Sequence, residues 1–124
     1  MTWFAASIVL ATHPLDQPDG PYQVQENIVL FEAPSRSLAL KKAAEHGYKE
    51  TIVDDDFVVN GVLAKKHFAG IRKLINILNP YPLDQDEDQP TTGTEITNTT
   101  FEIANPDDLS AFTKGEVITL KYID

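Results

Sequence analysis

The stretch Tyr22-Gln-Val-Gln-Glu-Asn-Ile-Val-Leu-Phe-Glu-Ala33 decides the fold class. Tyr22, Val24, Glu26, Ile28 and Leu30 fall on one side of an extended chain; Gln23, Gln25, Asn27, Val29 and Phe31 fall on the other. A period of two is the mark of a strand. The first half alternates, and the second half is apolar on both faces. This predicts a strand with an exposed start and a buried end. Upstream, residues 3–13 carry Trp3, Phe4, Ile8, Val9 and Leu10 in a run too short for a secure helix. They read as a strand that Pro14 stops. Asp16-Gln-Pro-Asp-Gly20-Pro21 between the two runs is a turn cluster. Two strands joined by a short turn predict an antiparallel hairpin.

Beyond this hairpin, Ser35 is placed to cap a helix through its hydroxyl. Leu40, Ala43, Ala44 and Gly47 share a face at helical spacing, and the small residues predict close packing on a sheet. Gly47 reads as the C-terminal stop. Asn60-Gly61, flanked by Val58-Val59 and Val62-Leu63, is a hairpin turn. Residues 64–78 admit two readings. Phe68, Ile71, Leu74, Ile75 and Leu78 fit a helical stripe, whereas the preceding hairpin and Gly70 favour a strand bent at the glycine. Residues 79–93 form an acidic, proline-rich loop. A strand over 94–104 follows. Asn105 then caps a short helix with Pro106 at its first position and Asp107 and Asp108 in its first turn. Residues 116–123 read as a last strand. The expectation is a single α+β domain over residues 1–124. It has a mainly antiparallel sheet of five to six strands in the order β-β-α-β-β-β-α-β, with one long helix packed on one face.

Several segments taken in order carry a family resemblance. They are Trp3-Phe-Ala-Ala6, Glu26-Asn-Ile-Val-Leu30, Ala33-Pro-Ser-Arg-Ser-Leu-Ala39 with Leu40-Lys-Lys-Ala43, Phe68-Ala-Gly-Ile71 and Gly93-Thr-Glu-Ile96. Together the chain resembles the small bacterial family called domain of unknown function 4288. The resemblance implies a single α+β domain and a strand over 67–78. It brings no assigned chemistry and therefore no functional residues.

At 124 residues, 42% hydrophobic and 23% charged, the chain is long enough to bury about two-thirds of its unfolded surface. The absence of cysteine excludes disulfides, thiolate zinc sites and cysteine nucleophiles. A net charge of −9 argues against nucleic-acid backbones and anionic membranes as partners. No apolar run approaches the ~20 residues of a membrane span. The apolar start has no positively charged residue before it, so a signal peptide is not predicted and the expected location is cytoplasmic.

The histidines His13, His46 and His67 show no metal-ligand spacing and read as surface or capping residues. Asp84, Asp86 and Asp88, with Glu95, follow the spacing of a calcium loop. However, Gln89 stands where the sharp turn needs glycine, so a solvated acidic loop is the reading. No nucleophile elbow or phosphate-binding glycine loop occurs. Neither a metal nor a cofactor is predicted, and an enzyme is disfavoured. Acidic charge concentrates after residue 79. The leading expectation is an immunity-type or adaptor module that binds a basic protein partner through Asp84, Asp86, Glu87, Asp88, Asp107 and Asp108. The alternative is a small-ligand or enzymatic domain with a pocket between sheet and helix, walled by Trp3, Tyr22, Tyr48 or Tyr122. A homodimer through a sheet edge is compatible with either.

Overall fold

The computed structural model describes residues 2–51, 58–59, 61–77 and 91–123. The elements in chain order are β1 (Thr2–Pro14), β2 (Tyr22–Ala33), α1 (Arg36–Lys49), β3 (Val58–Val59), β4 (Val62–Ile77), β5 (Glu95–Ile103), α2 (Pro106–Thr113) and β6 (Lys121–Tyr122). The strands lie in the spatial order β3-β4-β1-β2-β5-β6, and every neighbouring pair is antiparallel. The class is α+β, with an antiparallel sheet and two helices. Residues 62–77 are a strand, not a helix. The expected pairing of the flanking residues is present, with Val58 opposite Leu63 and Val59 opposite Val62, while Asn60 lies outside the described residues.

β1 is the centre of the molecule. Its register runs from Thr2 opposite Ala33 to Thr12 opposite Gln23 in β2, and β4 pairs along its other edge. Phe4, Ala6, Ile8 and Leu10 point to one face. There they join Val29, Phe31 and Ala33 of β2 and Ala39 and Ala43 of α1. Val9 and Ala11 point to the opposite face, with Tyr22, Val24, Phe101 and Ile103 and with Leu109 and Phe112 of α2. The sheet is thus covered on both faces, which corrects the expectation of one helix on one face. The cause is the run from Ala6 to Ala11, buried at every position, which alternation sends to both sides. The start of β2 is corrected for the same reason: Tyr22 and Val24 are buried against the α2 side.

The Leu38 amide donates to Ser35 Oγ at 3.2 Å, which caps α1 as expected. The buried stripe of α1 is Ala39, Ala43 and Gly47, while Leu40 is exposed and Ala44 half-buried. Gly47 does not end the helix, which continues to Lys49. A Cβ at Gly47 would come within 2.5 Å of Phe68 Cδ1, so the glycine is needed for close approach of α1 to β4. Two long side chains tie the helix to the sheet. Arg36 Nη1 donates to the Leu74 carbonyl at 3.0 Å, and Lys42 Nζ to the Glu32 carbonyl at 2.7 Å.

On the other face, the pairing of β4 with β1 slips opposite Ser7/Ile8 and again opposite Val9/Leu10. Such bulges bend a strand and re-aim its side chains. Arg72 lies at the first slip. Its Nη1 donates to Glu26 Oε2 at 2.9 Å, and its guanidinium stands 4.5 Å from the centre of the Phe112 ring. The Ser7 hydroxyl donates to the same carboxylate oxygen. This joins β1, β2, β4 and α2. Gly70 lies at the second slip, where a Cβ would overlap Thr113 Cγ2 of α2.

The expected strand over 116–123 is reduced to Lys121–Tyr122, which pair with Glu102 and Phe101. β5 ends at Ile103 and the chain turns into α2, so residues before Leu120 face no strand. Ile118 and Leu120 still pack against the α2-side core. Residues 79–90 of the acidic loop, and Asp54, Asp55 and Asp56, lie outside the described residues. Among the described residues, no helix is long and apolar enough to cross a membrane.

The Gly47–Phe68 contact is testable. Gly→Ala inside a helix ordinarily stabilises by about 0.5–1 kcal/mol. Here Gly47→Ala is expected to destabilise by about 1–3 kcal/mol through overpacking. Urea denaturation measures this, and Phe68→Leu in the same chain should return part of the loss. A stabilised Gly47→Ala variant would contradict the packing.

Candidate functional site

Four of the six acidic residues singled out from sequence, Asp84, Asp86, Glu87 and Asp88, lie outside the described residues. Asp107 and Asp108 occupy the first turn of α2. The Asp108 amide donates to Asn105 Oδ1 at 2.8 Å, and Asn105 Nδ2 donates to Asp108 Oδ2 at 3.3 Å. This reciprocal pair starts the helix, and both carboxylates suit its positive end. Glu95, the last residue of the calcium-like spacing, accepts from Asn98 Nδ2 at 3.1 Å within β5. Among the described residues, no three acidic or imidazole side chains are grouped to hold a metal ion.

The structure instead gathers residues that sequence spacing left apart. Ala11 of β1 lies opposite His67 of β4, and Thr12 lies opposite Gln23 of β2. His13, Tyr22 and His67 therefore meet on the α2 side of the sheet. Their ring centres are 5.5 Å apart for His13–Tyr22, 6.0 Å for His13–His67 and 6.1 Å for Tyr22–His67, all edge-on. The loop between β1 and β2 closes over this end of the sheet. The Gln17 amide donates to the Pro14 carbonyl at 3.0 Å, and the Tyr22 hydroxyl to the Pro18 carbonyl at 2.8 Å. Gly20, at φ 99°, makes the final turn.

Two clefts, each of about 370 Å³, meet at Tyr22. The first opens beside the loop and is lined by His13, Pro14, Gln17, Gln23 and Glu102 among others. The second lies between β4 and α2. His67, Phe68 and Ala69 form its sheet wall, and Pro106, Leu109, Ser110, Thr113 and Lys114 form its helix wall. Its size falls in the range of small-ligand sites. Of the four aromatic residues proposed as pocket walls, Tyr22 lines both clefts. Trp3, Tyr48 and Tyr122 line neither; Tyr48 packs on Phe68 at 4.8 Å and Tyr122 is exposed beside Phe101.

The electrostatics of the cluster are set by burial and like charge. Burial lowers the His67 pKa below its ordinary value, and His13 and Lys65 lower it further. Burial raises the Tyr22 phenol, with Asp19 adding to the effect. His13 Nδ1 is buried and has no hydrogen-bond partner, the one such side-chain nitrogen or oxygen among the described residues. Buried polar atoms are usually paired, so an orphan beside a cleft marks a place where a ligand gains a contact. His46 behaves as the sequence suggests, near the end of α1 with its Nε2 3.3 Å from Glu50 Oε1.

Comparison of the chain with protein-family models, with curated proteins and with solved structures gives no match. Sequence reading missed the cluster because His67 lies more than forty residues beyond both His13 and Tyr22. Only the β1–β4 register brings His67 to His13, and the bulges that set that register have no sequence signature beyond Gly70.

The lowered His67 pKa fixes a sign. In the unfolded chain the imidazole titrates near its ordinary value of ~6.5, and in the folded protein it titrates lower. Between those two values the unfolded state binds more protons. Stability is therefore complete above the unfolded value and falls as pH drops through it. His67→Gln is expected to flatten this acid-side loss in denaturation series between about pH 7 and pH 5. An unchanged pH dependence would contradict the burial of a neutral imidazole.

Proposed function

We propose that the domain binds a small molecule in the cleft between β4 and α2. The observation that carries this reading is a cleft of ligand size between β4 and α2 with the half-buried His67 ring in its sheet wall beside Tyr22; the unpartnered His13 Nδ1 lies on the adjoining cleft. Rigid elements supply every wall of the second cleft, and Gly70 holds α2 close to β4 at its base. A site on strands and a helix is held more firmly than one on loops. The arrangement presents an apolar floor at Ala69 and Leu109, a free rim at Lys114, and an imidazole at His67. No nucleophile is paired with a general base among these groups, which supports binding rather than catalysis.

Ligand occupancy is read directly by nuclear magnetic resonance. Small fragments are expected to shift the signals of His67, Ala69 and Ser110, and Ala69→Phe is expected to abolish those shifts by filling the cleft. Fragments that leave all three signals in place, or act equally on the filled variant, would remove this reading.

A second reading follows from the sheet edge. Leu15, Val58, Val62 and Leu63 are exposed apolar side chains at the β3–β4 end, and the Leu15 amide donates to the Leu63 carbonyl at 2.9 Å. We propose a homodimer through this edge. Sedimentation equilibrium is expected to show a dimer that Leu63→Glu converts to monomer; a monomer at every concentration would dismiss it. The reading of a basic protein partner at the six acidic residues rests on the concentration of acidic charge after residue 79 and on the lack of a catalytic motif in the sequence.

A further inference from the structure

We infer that the cleft between β4 and α2 takes a small monoanion, a carboxylate on an apolar body, and that His67 acquires a proton when it binds. This deepens the small-ligand reading and rests on it. The chain holds 19 acidic and 10 basic side chains, yet the cleft reverses that balance. Its walls carry His67 and Lys114 and, among the described residues, no carboxylate. The groups facing His67 are His13 from β1, Tyr22 from β2, Lys65 from its own strand and Lys114 across the cleft from α2. None is an anion at neutral pH, and two are permanent cations. Asp19 acts on Tyr22.

A local positive potential inside an acidic protein attracts small anions and rejects cations. The count of charges favours a single negative charge. Among the described residues Lys114 is the one permanent cation lining the cleft, and it is at the C-terminal end of α2, where the helix dipole opposes anions. The apolar surfaces of Ala69 and Leu109, backed by the α2-side core, call for a hydrocarbon or aromatic body rather than a bare ion. Ser110 supplies a hydroxyl at the helix wall for the second carboxylate oxygen.

The linkage follows from the same geometry. Buried next to His13 and Lys65, His67 is neutral at pH 7. An anion in the cleft favours the imidazolium, which gains a charge-assisted hydrogen bond. Binding then carries a proton with it, and affinity rises as pH falls. The limit for one linked proton is tenfold per pH unit.

The probes are acetate, benzoate and phenylacetate, with acetamide, benzamide and phenylacetamide as uncharged counterparts. Affinity is followed by the His67 ring signals from pH 8 to pH 5.5. Benzoate and phenylacetate are expected to bind more tightly than their amides, with affinity rising several-fold to about tenfold per pH unit as pH falls toward the His67 pKa. The His67 titration should move upward in their presence. His67→Gln should abolish the pH dependence while leaving residual binding, and Lys114→Gln should weaken binding a few-fold. Circular dichroism of each variant establishes that it is folded. If the amides bind as well as the acids and pH has no effect, the cleft is a ligand site but the anion inference fails. If neither series shifts His67, Ala69 or Ser110 up to about 10 mM, the inference and the ligand reading fail together.

Discussion

A strand with apolar side chains on both faces must be covered twice, and β1 is such a strand. From Ala6 to Ala11 every residue is buried. Each fully buried aliphatic side chain contributes roughly 1.5–3 kcal/mol, so exposing either face would remove a large share of a marginal stability. One helix cannot reach both sides. The long helix α1 follows directly from β2 and covers the face of Phe4, Ala6, Ile8 and Leu10. The opposite face, with Val9 and Ala11, is left for the short helix α2, which arrives only after the chain has crossed the hairpin to β5.

The candidate site is a consequence of this second covering. α2 has eight residues and shields only part of its face. Phe112 and Leu109 seal the middle, aided by the ion pair of Arg72 with Glu26 beneath the Phe112 ring. Toward the β1–β2 loop the helix leaves the sheet uncovered, and the clefts open there. The aromatic and imidazole rings of Tyr22, His13 and His67 occupy that place. They are amphipathic groups suited to a boundary between core and solvent. The same crowding that buries His67 beside other basic groups makes it responsive to a negative charge.

The hairpin of β1 and β2, the Ser35 and Asn105 caps and the pairing of β3 with the start of β4 are legible in the sequence because each depends on neighbours in the chain. The apolar run of β1 is visible in the sequence too, but a short α2 gives little sign there of being a second covering layer. Gly47 shows how a local rule misleads. Glycine near a helix end usually stops it, whereas here it makes room for Phe68, which is remote in sequence. The last strand failed for a similar reason. Residues 116–119 have strand composition, but β5 ends at Ile103 and offers them no strand partner. The histidine cluster was out of reach, as it depends on the register between β1 and β4 and on two bulges within it. The acidic residues drew attention through charge, and the two that are described serve the start of α2.

The double burial of β1 is tested most directly by native-state hydrogen exchange. The account predicts that the amides of Ile8, Val9 and Leu10 exchange only through global unfolding, with protection equal to the full stability of the domain and above that of β5 and β6. Exchange of those amides through local opening, at rates comparable to the edge strands, would mean that one face of β1 is not covered. The α2-side cleft would then not exist as described.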